Sequence, residues 1–85
     1  MTSHVDGNAL AGPLSEIFAT DMTAAAGRCA GCGDISPLAM AMVYQKPKAF
    51  IVRCHVCDSV LITLIQSSDH NWIDLEGLTA LTIAR

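Results

Sequence analysis

The four cysteines of this 85-residue chain fall into two Cys-x-x-Cys pairs, "RCAGCGD" at 28–34 and "RCHVCDS" at 53–59. A two-residue gap lets both sulfurs of a pair point at one centre while backbone N–H groups turn in to hydrogen-bond them. Two such knuckles predict a tetrahedral S₄ metal centre of Cys29, Cys32, Cys54 and Cys57, with bonds of about 2.3 Å for zinc. The 21 residues between the pairs, 33–53, are close to the usual spacing of about 15–20. Gly33 follows the first pair at a place that often takes a left-handed conformation, which glycine adopts freely. Asp58 holds the matching place after the second, and aspartate tolerates that region better than most residues.

Other uses of four cysteines fit less well. Two disulfides would need an oxidising compartment. A thioredoxin-like redox pair occurs once, at a helix start after a strand, whereas here the pair occurs twice among β-prone residues. Zinc is the expected metal, with iron in a rubredoxin-like S₄ site as the alternative. His55, inside the second pair, could replace a cysteine as ligand. With four thiolates supplied, it is expected to point outward or to hydrogen-bond a sulfur. Arg28 and Arg53 directly precede the pairs, either offsetting the negative charge of a tetrathiolate centre or serving as ordinary strand arginines facing water.

A chain this short forms one domain and buries only about 60–65% of its unfolded surface, so a metal or a partner chain is a common supplement. Yet 52% of the residues are hydrophobic and only 15% charged, against about 25% charged in a typical domain. Some apolar surface is therefore expected to meet another chain. The net charge of −3 argues against nucleic acid as the main partner. Four of the five basic residues nevertheless lie between 28 and 53. Arg28, Lys46, Lys48 and Arg53 form a candidate weak basic patch. The N-terminal "MTSHVDGNAL" lacks the features of a signal peptide, and the longest apolar runs fall short of the roughly 20 residues that span a membrane. A cytoplasmic protein with no membrane association is expected.

Along the chain, Leu10, Leu14, Ile17 and Phe18 lie on one helical face. Asn8 is a candidate N-cap, and Pro13 suits a first turn, which leaves 13–19 as the firm helix. From Thr23 onward strands are expected. "PLAMAMVYQ" and "AFIVRC" are separated by the turn signal Lys46-Pro47-Lys48, a hairpin whose return strand delivers the second knuckle. "SVLITLIQS" and "NWIDLEG" read as further strands, and "LTALTIA" as a last strand or short helix. The expected fold is a small metal-stapled β structure, a zinc ribbon with an antiparallel three- to five-stranded sheet, preceded by a short N-terminal amphipathic helix. Residues 1–22 would form the arm and helix and 23–85 the ribbon, as one structural unit. In "VLITLI", strict alternation sends Val60, Ile62 and Leu64 one way and Leu61 and Ile65 the other, so both faces need cover. A partner surface is expected on Leu10, Leu14, Ile17 and Phe18, or on Val60, Ile62 and Leu64.

"DGNALAGPL" (6–14), "GRCAGCG" (27–33), the second knuckle and "WIDLEGL" (72–78) together resemble an uncharacterised family of small bacterial zinc-ribbon proteins, in order and along almost the whole chain. Members often read C-P-x-C-G at the second knuckle, where this chain has "CHVCD". The resemblance implies no activity. It implies a gene context near flavin- and molybdopterin-type oxidoreductases.

The expected function is that of a non-enzymatic protein–protein interaction module or accessory subunit, for example of an oxidoreductase system, working with a protein partner or as a homo-oligomer. The alternatives are a rubredoxin-like iron electron carrier and a nucleic-acid-binding ribbon. Catalysis is not expected, because His4, His55 and His70 lie in three different segments and four thiolates leave no open position for a substrate water.

Overall fold

The computed structural model describes residues 4–15, 18 and 22–83. The chain opens with β1 (Val5–Asp6), a 3₁₀ turn (Gly7–Leu10) and α1 (Ala11–Ser15). After a second 3₁₀ turn (Met22–Ala24) come β2 (Ala26–Cys29) and β3 (Ile35–Pro37). A third 3₁₀ turn (Leu38–Met40) leads to β4 (Met42–Lys46), β5 (Ala49–Arg53), β6 (Val60–Gln66), β7 (Asn71–Asp74) and β8 (Leu78–Thr82). The strands make two antiparallel sheets, one in the order β1-β4-β5-β6-β7 and one in the order β3-β2-β8.

One sheet was expected, and two form. Pro37 is the reason on one side. With its fixed φ of −59° and no N–H to donate, it ends β3 and divides "PLAMAMVYQ" between the two sheets. The other reason is β8, which returns to pair with β2 from Ala26↔Thr82 to Cys29↔Leu78, so "LTALTIA" is a strand. The hairpin at Lys46-Pro47-Lys48 forms as expected, with Tyr44 opposite Ile51 and Lys46 opposite Ala49.

The N-terminal segment differs in detail. Asp6, not Asn8, is the N-cap, and its side chain accepts from the Asn8 N–H at 3.0 Å. The expected helix over 13–19 begins earlier, at Ala11, and reaches Ser15; part of the remainder lies outside the described residues. The Phe18 N–H still bonds the Leu14 carbonyl at 2.8 Å.

The core joins both parts. Leu10, Leu14, Leu38, Val43, Val52, Ile62 and Leu64 are all at most 3% exposed, and Phe18, Phe50, Ile73, Leu78 and Leu81 pack around them. The expectation of a partner surface on these residues is therefore corrected. Leu10 and Leu14 close over the sheet's own inner face, Phe18 is half-buried against it, and Ile62 and Leu64 lie beneath. Val60 stays exposed, and Ile17 lies outside the described residues.

Strict alternation also fails in β6. Ile62 pairs with Val52, but Val60 pairs with Arg53, so Leu61 is an extra residue in the ladder. Such a bulge breaks the period of two. Leu61 and Ile62 are consequently both buried, while Ile65 on the far face is 44% exposed. Among the described residues, one face of the five-stranded sheet is covered, while Ile65 and Trp72 on the other are exposed.

Candidate metal centre

Each cysteine pair is the turn of a β-hairpin. The first links β2 to β3 and the second links β5 to β6, so the two knuckles come from different sheets. They repeat bond for bond. The Cys29 N–H donates to the Asp34 carbonyl at 2.9 Å, and the Cys54 N–H to the Ser59 carbonyl at 2.8 Å. The Gly33 and Asp58 N–H groups donate to the Cys29 and Cys54 carbonyls, both at 2.9 Å. Gly33 has φ +79° and Asp58 +64°, the left-handed turns expected at both places. The Gly31 N–H points at the Cys29 sulfur at 3.3 Å, and the Val56 N–H at the Cys54 sulfur at 3.4 Å.

All four sulfurs lie within 4.8 Å of one another. Across the knuckles, Cys29 Sγ is 3.6 Å from Cys57 Sγ, and Cys32 Sγ is 3.7 Å from Cys54 Sγ. These separations are far beyond the roughly 2.05 Å of a disulfide, and all four cysteines are free. Tetrahedral bonds of about 2.3 Å put neighbouring sulfurs about 3.8 Å apart. The cluster therefore has the size and donor set to hold a metal ion. Cys29 and Cys54 are 3% and 2% exposed and belong to the core, while Cys32 and Cys57 face solvent.

Packed together, the thiols do not titrate alike. The Ser59 hydroxyl, then the Ser59 backbone N–H, pull Cys57 down to about 6. Cys32 is held down by the Asp34 N–H, but desolvation and the three neighbouring sulfurs outweigh that bond and push it up to about 12. A cation that binds thiolates favours the deprotonated form of every sulfur.

Over residues 1–85 the chain matches the model of a family described as a family of unknown function, DUF6510. The chain belongs to that family. No curated protein and no solved structure matches it.

In this DUF6510 chain the knuckles are braced from several directions. Arg28 Nε donates to Thr79 Oγ1 at 2.8 Å, beside the register shift at Arg28/Cys29. Arg53 donates to the Asp58 carbonyl at 2.9 Å and lies over the Tyr44 ring at 5.7 Å. The four candidate basic residues do not gather into one patch. Lys46 and Lys48 flank the β4–β5 turn, Arg53 ends β5 at the knuckle, and Arg28 belongs to the other sheet.

His55 turns away from the sulfurs. Its Nε2 lies 2.9 Å from Ser36 Oγ and 3.3 Å from Asp34 Oδ2, and Ser36 Oγ donates to Asp34 Oδ2 at 2.5 Å. Serine, histidine and aspartate in contact suggest a catalytic triad, but the geometry differs. A triad has the carboxylate on one ring nitrogen and the nucleophile on the other, whereas here both converge on Nε2. Nothing local in the sequence connects His55 with Ser36; the fold alone brings them together.

Gly77 is the second residue that spacing and composition do not single out. Its carbonyl accepts from the Ala30 N–H of the first knuckle at 2.8 Å, and its own N–H donates to the Leu61 carbonyl of β6 at 3.2 Å. One residue thus ties the first knuckle to the larger sheet. A Cβ at Gly77 would collide with the Val60 carbonyl.

Proposed function

We propose that this DUF6510 chain is a non-enzymatic zinc-ribbon protein: a zinc-stapled module that presents a sheet face to a protein partner. The observation that carries the reading is the tetrad of cysteine sulfurs supplied by two matching knuckles. Four thiolates are a favourable donor set for zinc, and they would close its coordination shell, leaving no position for a substrate water. The metal then acts as a joint between two hairpins. A reducing cytoplasm suits such a site, since it keeps thiols free for the ion. Among the described residues no helix is long and apolar enough to cross a membrane.

The same four thiolates also suit iron, as in a rubredoxin-like carrier, and the exposed Cys32 and Cys57 would put such a centre close to solvent. Elemental analysis of protein expressed with both metals available decides between them. One equivalent of zinc in a colourless protein is the expected result. A red protein with one equivalent of iron would replace the structural reading with electron transfer.

The open sheet face supports the interaction role. Tyr44, Ile51, Thr63 and Asp74 form one cross-strand row, and Lys46, Ala49, Ile65 and Trp72 the next. Trp72 is 61% exposed beside Ile65. Covering a large aliphatic side chain contributes about 1.5–3 kcal/mol. The partner is a protein or a second copy of this chain, and the family resemblance favours an oxidoreductase. Ile65→Lys combined with Trp72→Lys is expected to keep wild-type circular dichroism and metal content while abolishing association. Light scattering reads self-association against the 9.0 kDa of one chain, and co-purification reads a heterologous partner. Association undiminished in the double variant removes this face from consideration.

A further inference from the structure

A metal shared by two hairpin turns leaves when its bonds to both are broken, and whatever holds the turns together keeps the sulfurs in place to bind it again. In this chain the turns are also joined without the metal. Asp34 and Ser36 belong to the first hairpin and His55 to the second, and the contacts at 2.5, 2.9 and 3.3 Å close a polar bridge between them. Among the described residues it is the one side-chain hydrogen-bonded link between the knuckles apart from the sulfurs themselves. The matching positions on the other side make no such bridge. Ser59, the counterpart of Asp34, instead packs against Gly31, where a Cβ would meet its hydroxyl at 2.8 Å. The repeat that governs the backbone is thus broken in the second layer of contacts.

Building on the metal-centre reading above, we propose that the Asp34–Ser36–His55 bridge is a clasp that sets how fast the centre releases its metal. The proton arrangement follows from counting. The Ser36 hydroxyl carries one proton and gives it to Asp34, so its oxygen accepts from His55 and His55 carries its proton on Nε2. Nε2–H is present in the Nε2 tautomer and in the protonated ring alike, so the clasp needs no change of charge to hold. All three residues are positioning residues, since none of them supplies a metal ligand. Groups that orient ligands from outside the coordination shell typically change metal affinity by about 10–100-fold. The His55 and Asp34 side chains are 31% and 30% exposed, so water competes for these bonds and the lower end of that range applies.

The test uses the full chain loaded with zinc and mixed with an excess of a coloured chelator, whose absorbance follows metal transfer. His55→Ala and Ser36→Ala should each accelerate release about 10-fold. His55→Gln, which keeps an N–H donor near the Nε2 position, should restore most of the wild-type rate. Ile35→Ala, at a side chain 63% exposed in the first hairpin with no part in the bridge or in the contacts to the sulfurs, should leave it unchanged. Nitrogen chemical shifts of His55 should report a proton on Nε2. Wild-type release rates in both alanine variants would overturn the clasp, as would equal acceleration by Ile35→Ala. If one alanine variant fails to fold, the other decides. A wild-type chain that takes up no zinc would overturn the metal reading, and the clasp with it, and is distinct from a chain that holds zinc and releases it at one rate in every variant.

Discussion

Replacing Cys29 or Cys54 with serine is expected to leave the chain unfolded or aggregated. Zinc–thiolate binding in small fingers is worth on the order of 10–16 kcal/mol, comparable with the roughly 5–15 kcal/mol that stabilises a whole domain. Geometry makes these two positions worse than their partners. Cys29 and Cys54 are part of the buried core, so a serine there loses a metal bond and also places a hydroxyl among apolar neighbours. Cys32 and Cys57 face solvent, and serine at either leaves the packing intact. Circular dichroism and thermal melts in the presence of zinc measure the difference. A Cys29→Ser protein with native dichroism and a wild-type melting curve would falsify the structural role of the metal.

Gly7→Ala and Gly77→Ala are expected to be the most damaging substitutions away from the cysteines. A Cβ on Gly7 would overlap the Leu38 carbonyl, and one on Gly77 the Val60 carbonyl. Backbone cannot step aside as a flexible side-chain tip can. Overpacking of this kind costs roughly 3 kcal/mol or more, which in a domain of this size lowers Tm by about 12 °C or more. Gly12, five residues from Gly7, supplies the contrast. It sits in α1 with nothing within 4 Å of an added Cβ, so Gly12→Ala should be neutral or stabilise by up to about 1 kcal/mol. Differential scanning calorimetry of the three variants reads all of this. Equal melting temperatures for Gly7→Ala and Gly12→Ala would show that the close approach at Leu38 does not constrain the fold.

These contacts explain a stretch that sequence reasoning left without chemistry. "DGNALAGPL" is neither a metal nor a nucleotide motif. Asp6 caps the 3₁₀ turn, Gly7 admits the Leu38 backbone, and Leu10 and Leu14 fill the core. Its meaning depends on a partner in a distant segment and is invisible locally. The cysteine cluster was legible for the opposite reason, because residue type and a two-residue gap carry the geometry of each knuckle. The β4–β5 hairpin was legible from Lys46-Pro47-Lys48. The faces of β6 were misassigned because one bulged residue, Leu61, shifts the alternation. The Asp34–Ser36–His55 bridge could not be read, since two separate hairpins must fold before those side chains meet.

The pairing of β8 with β2 bears on the order in which the molecule assembles. Within the larger sheet, β4 to β7 join neighbours in the chain, contacts that form early because little loop entropy opposes them. The smaller sheet waits for residues 78–82 to return across most of the sequence. During synthesis the second knuckle can therefore be shaped while the first still lacks one flank. A metal ion captured at that stage would meet one finished half-site and one loose one, and closure of the centre would coincide with arrival of the final strand.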